Sequence, residues 1–131
     1  HFLYEKETKV VLEFKKVYGC LHQNWGSVAV STGVLDGNVY LKDKHFLSAP
    51  NNKIGEPTSV LLDKRCFDKV GYFNEELKQA LDCEFWSRLM PHYNIGFVDD
   101  YLSFFRLHNT QASAVNKTTN VNEIEQLYLI Y

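Results

Sequence analysis

Leu81-Asp82-Cys83-Glu84-Phe85-Trp86-Ser87-Arg88-Leu89, closed by Met90-Pro91, is the stretch on which the reading of the chain turns. Leu81, Phe85 and Leu89 stand four apart, so on a 3.6-residue period they form one apolar stripe. The pattern predicts a helix over 75–90, and Pro91, which cannot continue a helix, stops it. Toward the C-terminus, Ile95 to Val98 and Leu102 to Leu107 read as short strands. Asn109 to Thr119 is polar and loop-like, and Asn122 to Tyr131 carries Ile124, Leu127 and Tyr128 at helical spacing. Toward the N-terminus, Lys64 to Val70 reads as one or two helical turns closed by Gly71, and Thr58 to Leu62 as a short buried strand. Residues 42–57, with Pro50, Asn51, Asn52, Gly55 and Pro57, form a long loop of the kind that is often functional. Asp36-Gly37-Asn38 lies between the apolar runs Ser27–Leu35 and Val39–Leu41, which predicts a hairpin. Leu3, Val10, Phe14 and Val17 make residues 3–18 an amphipathic helix, with Gly19 at its end. The mixture predicts an α/β domain with a mixed sheet and flanking helices.

A length of 131 residues favours one domain, and 45% apolar residues are enough for a core. Aromatics at 15% leave some rings to line a cleft. A net charge of −2 offers no basic patch, so nucleic acid is not an expected partner. Cys20, Cys66 and Cys83 are odd in number and widely spaced, which supports neither a zinc knuckle nor a disulfide framework. A reducing, cytosolic setting fits that usage. No apolar run is long enough to span a bilayer, and membrane association of a longer parent stays open. The chain opens on His1 with a helical pattern almost at once, and reads as an excised piece or as carrying a tag remnant.

Four short patterns follow one another. They are Gly55-Glu56-Pro57-Thr58-Ser59, Val70-Gly71-Tyr72-Phe73-Asn74-Glu75, Leu81 to Leu89, and Phe105-Arg106-Leu107-His108 with Gln111 and Ser113 behind it. Their order and spacing resemble the second half of family 2 glycosyltransferases of the GT-A type, over roughly residues 26–113. The resemblance implies that residues 1–131 are the C-terminal, acceptor-side half of a GT-A domain. The nucleotide-binding β-α-β half and the D-x-D metal motif are missing from the sequence. It implies an inverting, metal-dependent transfer of a sugar from a nucleotide-sugar donor to a glycan or lipid-linked acceptor, in bacterial polysaccharide or glycolipid synthesis. Mg²⁺ or Mn²⁺ would serve the full-length parent, and the fragment alone is expected to be inactive and to bind no metal.

Residue by residue, the resemblance makes Asp82 the base that takes the acceptor's proton. A helix N-terminus would lower its pKa and a partly buried cleft would raise it. Read alone, Asp82 is equally an N-cap or an exposed helical acid. Glu84 is assigned acceptor contact, with an i,i+4 ion pair to Arg88 as the alternative. Trp86 is assigned sugar stacking, with packing as the alternative. Glu56, Pro57 and Thr58, with Ser59, would floor the sugar pocket, against a plain loop-to-strand turn. Arg106 is a candidate phosphate partner, and His108 a candidate metal ligand or phosphate donor. Gln111 and Ser113 would lie on a loop closing over the donor. Asp99-Asp100 reads as a turn, and His22, His45 and His92 as surface residues. Leu81 stands where many family members carry an acid, leaving Asp82 as the sole obvious base. An apolar face left by the missing half would favour a homodimer. The rival reading is a non-catalytic carbohydrate-binding or interaction module, in which Asp82 is dispensable for sugar binding.

Overall fold

The computed structural model describes residues 33–42, 52, 54–98, 100, 102–103, 112, 115 and 123. Over them the chain is a small mixed α/β fold. Its elements are β1 (Gly33–Leu35), α1 (Gly37–Leu41), a 3-10 turn (Pro57–Ser59), α2 (Arg65–Val70), α3 (Leu81–Leu89) and β2 (Ile95–Phe97). The helix expected over 3–18 and the strand expected to run to Leu107 lie outside the described residues, apart from Leu102 and Ser103, which are irregular. Ala112 and Val115 are helical where the polar stretch reads as loop, and Glu123 is helical as expected. Among the described residues no helix is long and apolar enough to cross a membrane.

The hairpin at Asp36-Gly37-Asn38 does not form. Asp36 is extended (φ −68°, ψ 122°) and caps α1, its carboxylate accepting from the Val39 N–H at 3.0 Å. Asp serves a hairpin turn and a helix N-cap equally well, because both exploit its short acceptor side chain. Packing decides between them. A Cβ at Gly37 would lie 2.2 Å from the carbonyl oxygens of both Met90 and Tyr93, so only glycine lets the first turn of α1 approach that backbone. β1 instead pairs antiparallel with β2, with Gly33 opposite Phe97, Val34 opposite Gly96 and Leu35 opposite Ile95.

The strand expected over Thr58–Leu62 is replaced by the 3-10 turn and irregular chain. Pro57 fixes φ and donates no N–H, which suits the first position of a turn. The Ser59 N–H reaches the Glu56 carbonyl at 2.8 Å, and Leu61 is 99% exposed where a buried residue was expected. α2 forms where the sequence places it. The Asp63 carboxylate accepts from the Arg65 N–H at 2.9 Å, and Gly71 ends the helix at φ 78°, a conformation glycine adopts at low cost.

α3 is shorter at its start than its pattern suggests. Residues 74–80 are turns, with the Asn74 carboxamide oxygen accepting from the Glu76 N–H at 3.1 Å. The N–H groups of Lys78, Gln79 and Ala80 all donate to the Glu123 carboxylate, at 2.7, 2.7 and 3.1 Å. A distant carboxylate thus satisfies donors that a longer helix would have satisfied internally.

The core gathers around α3. Phe85 is fully buried and stacks on Phe73 at 4.2 Å and on Phe67 at 5.5 Å, with Trp86 edge-on to both Phe73 and Phe85. Tyr40 from α1, Cys66 from α2, and Leu89 and Met90 complete the buried cluster. Such aromatic pairs contribute on the order of 1 kcal/mol each beyond their buried area. The cluster therefore fixes the axis of α3, and with it the position of Asp82.

Candidate functional site

The site assembles from the first turn of α3 and the loop that precedes the 3-10 turn. Asp82 is half-buried, and each of its carboxylate oxygens accepts a hydrogen bond from a described residue, with the Cys83 thiol a further donor. The Cys83 N–H donates to Oδ1 at 2.8 Å, and the Asn52 Nδ2 donates to Oδ2 at 2.6 Å. Asn52 is itself clamped to the loop. Its Oδ1 accepts from the Gly55 N–H at 2.9 Å, and its Nδ2 also donates to the Gly55 carbonyl at 3.1 Å. The same carbonyl accepts from the Trp86 indole N–H at 3.2 Å. Gly55 has φ 124°, open to glycine and rarely adopted by other residues, which lets this carbonyl turn toward the helix.

These contacts bring together two of the four sequence patterns, Gly55–Ser59 and Leu81–Leu89. Burial raises the Asp82 carboxyl above the usual carboxylate range, against the lowering effect of its hydrogen bonds with Cys83 and Asn52. Glu56 is raised as well. Protein atoms crowd its carboxyl even though the residue as a whole is exposed, and the negative charge of Asp82 adds to the effect. The Cys83 thiol is pushed up to about 12 by burial first and by Asp82 next, with a further contribution from Glu56. A thiol so placed is a poor nucleophile at neutral pH. Two carboxylates thus share one electrostatic environment. Glu56 comes from the loop that leads into the 3-10 turn.

Glu84 and Trp86 make the contacts of their packing alternatives. Glu84 is 7% exposed, and its carboxylate is forked by Arg88, with Nε to Oε1 at 2.5 Å and Nη2 to Oε2 at 2.9 Å. Arg88 continues to the Tyr72 carbonyl at 2.8 Å and to the Val70 carbonyl, so the pair ties α3 to the end of α2. Trp86 is 3% exposed, with its ring packed edge-on against Phe73 and Phe85. Both side chains take the packing alternative because they lie on the face of α3 that meets the core.

Pro57 and Thr58 are exposed in the 3-10 turn beside Glu56, and the Ser59 and Ser103 hydroxyls lie 2.8 Å apart. An apolar hollow of about 200 Å³ between Ile54, Leu62, Trp86 and Tyr93 includes neither Asp82 nor Glu56 in its lining and belongs to the core side of the helix. His92 is exposed, as expected. Arg106, His108, Gln111 and Ser113 lie outside the described residues, as do Cys20, His22, His45 and Asp99. Cys66 and Cys83 are free thiols. Among the described residues no three His, Cys, Asp or Glu side chains converge to hold a metal.

Asn52 was not singled out from the sequence as a functional residue. Its signal was the spacing Asn52-x-x-Gly55, since an Asn oxygen commonly closes a turn on a following N–H and glycine supplies the conformation that turn needs.

No known family profile matches the chain, and no solved structure matches it. Over 73 residues it is 37% identical to a protein of Mycobacterium tuberculosis (strain CDC 1551 / Oshkosh) described as "Uncharacterized protein MT1568". That stretch is 56% of this chain and 21% of the relative, so the match spans about a fifth of the relative's length.

Proposed function

We propose that the chain contributes the acceptor-side part of a family 2, GT-A type glycosyltransferase, with Asp82 as the base. The observation that supports this reading is the meeting of Asp82 with the Gly55–Ser59 segment through Asn52. A half-buried carboxylate, raised toward neutrality and held by two donors, suits a general base. In the reaction, an acceptor hydroxyl gives its proton to Asp82 and its oxygen attacks the anomeric carbon. The bond from that carbon to the diphosphate oxygen breaks, and the nucleoside diphosphate leaves with the bonding pair. Inversion follows from the single displacement.

Glu56, Pro57 and Thr58 rim the same site on its loop side and are the residues proposed to meet the sugar. The resemblance assigns Mg²⁺ or Mn²⁺ to the whole enzyme, where the ion would stabilise the leaving diphosphate, and in this chain it assigns His108 to contact that ion and Arg106 to the phosphates. The partners are a nucleotide-sugar donor and a glycan or lipid-linked acceptor, at the cytoplasmic side of a polysaccharide or glycolipid pathway.

The test is diphosphate release by the full-length protein with a panel of nucleotide sugars in Mg²⁺ or Mn²⁺, comparing wild type with Asp82→Asn. Turnover is expected to fall by about 10²- to 10⁴-fold with the fold intact, the usual contribution of a positioned base. Unchanged turnover in Asp82→Asn would remove Asp82 from the base role. No turnover by wild type would favour a carbohydrate-binding module.

A further inference from the structure

We propose that Asn52 is the positioning residue of the site, tying the Gly55–Ser59 loop to Asp82 and fixing the direction in which the carboxylate presents its free lone pairs. The inference rests on the reading of Asp82 as a base and adds a residue to that reading.

The orientation of the Asn52 amide is determined by its surroundings. The Gly55 N–H can only donate, so the atom it meets at 2.9 Å must be the Asn52 oxygen. The Asn52 nitrogen is then the atom facing Asp82 at 2.6 Å, and it can only donate. It follows that Oδ2 of Asp82 must be an acceptor on that side. Oδ1 is an acceptor too, because the Cys83 N–H points at it from 2.8 Å. With each oxygen held by a donor and the Cys83 thiol hydrogen-bonded to the same carboxylate, the carboxylate cannot rotate without losing a bond. A proton from an acceptor hydroxyl must arrive along one of the remaining directions.

Asn52 also carries the loop. Its two bonds to the backbone of Gly55 set the turn that leads into Glu56, and the Gly55 carbonyl is held from the other side by Trp86. One side chain therefore fixes Asp82 directly and places Glu56 through the loop. Among the described residues, the titratable groups facing Asp82 are Glu56 from this loop and Cys83 from its own helix. Asn52 is a donor that favours the ionised carboxylate, while Glu56 is a like charge that disfavours it.

Those opposite signs give the experiment. The carboxyl carbon of Asp82 would be followed by ¹³C NMR through a pH titration of this chain, in wild type, Asn52→Asp, Asn52→Ala and Glu56→Gln. Asn52→Asp keeps the oxygen that closes the turn on Gly55, replaces the nitrogen that donates to Asp82 and to the Gly55 carbonyl, and adds a like charge, whereas Asn52→Ala removes the donor without adding a charge. Both Asn52 variants are expected to raise the titration midpoint of Asp82, and Glu56→Gln to lower it. In the full-length enzyme the acidic limb of kcat/KM against pH should move the same way, and kcat on the plateau should fall about 10- to 100-fold in Asn52→Asp, the scale of a misplaced catalytic group. An Asp82 midpoint unchanged in Asn52→Asp would overturn the positioning role, whatever Asp82→Asn does to turnover. Loss of the base role in the turnover assay, with the midpoint shifts present, would overturn the catalytic meaning of the contact and would leave the contact itself established.

Discussion

Asp82 and Glu84 stand two positions apart in one helical turn and serve opposite ends. About 200° of rotation separates them at 3.6 residues per turn, which sends Glu84 into the core and leaves Asp82 at the rim. Glu84 needs a partner there, and Arg88 supplies a two-point fork that also reaches two carbonyls at the end of α2. Its guanidinium carbon lies 5.3 Å from the centre of the Phe85 ring, so charge, hydrogen bonding and stacking all act through one planar group. Lysine keeps the charge and loses the fork and the plane. Arg88→Lys is expected to destabilise the fold by about 2 kcal/mol, below the ~3–5 kcal/mol of a fully buried broken pair because the Arg88 side chain is 23% exposed. A urea titration of the two proteins measures this. An unchanged midpoint would mean that the fork contributes nothing net.

At the scale of elements, the start of α3 depends on a residue far along the chain. Glu123 accepts from three successive N–H groups, at Lys78, Gln79 and Ala80, just before the helix begins. Burial pushes its carboxyl up more than any one of those bonds pulls it down, but the three N–H donors and the Lys78 charge together outweigh it and hold the carboxyl below the ordinary range. Glu123→Gln keeps the shape, loses the charge and turns one acceptor into a donor. It is expected to cost about 1 kcal/mol, the scale of a lost helix cap. The effect should be fully present above about pH 4.5 and fade below it, because a lowered carboxylate contributes stability above its unfolded pKa and loses it as pH falls through the folded value. Thermal melts of both proteins at pH 7 and pH 3 check this, and an equal difference at both pH values would count against the charge. The same helix shows how far the sequence could be read. The stripe Leu81, Phe85, Leu89 and the stop at Pro91 were visible because helix periodicity is local. The start was misplaced because Glu75 to Lys78 are good helix formers, yet the N–H groups of Glu76 and Leu77 turn back to Asn74 and those of Lys78, Gln79 and Ala80 find the Glu123 carboxylate more than 40 residues away. Asp36-Gly37 failed for a related reason: the strand that β1 pairs with lies some 60 residues on, and the room for Gly37 is set by Met90 and Tyr93. In the site, Asp82 and Glu56 were legible as motif residues. Their coupling was not, since it runs through Asn52 and the turn at Gly55.

For the molecule as a whole, the site and the rest of the fold respond to pH with opposite signs. Glu56 and Asp82 are raised in the folded state, chiefly by burial and, for Glu56, also by the charge of Asp82. A raised carboxyl contributes stability that is fully present below its unfolded pKa and is lost as pH rises through the folded value. At neutral pH the ionised pair therefore works against folding, whereas Glu123 works for it. The base role proposed for Asp82 would carry such a cost, since groups arranged for reaction are held at the expense of stability. Glu56→Gln removes one member of the pair while leaving the core, Asn52 and Asp82 in place. It is expected to stabilise the chain at pH 7 by on the order of 0.5 kcal/mol, the size of a partly screened charge interaction at an exposed residue. The gain should shrink toward zero at pH 3, where both carboxyls are protonated in the folded and unfolded chain alike. Urea midpoints of wild type and Glu56→Gln at the two pH values decide the matter. A gain that persists at pH 3 would trace to the amide's own contacts, and the two carboxylates would then not be energetically coupled in the way the site requires.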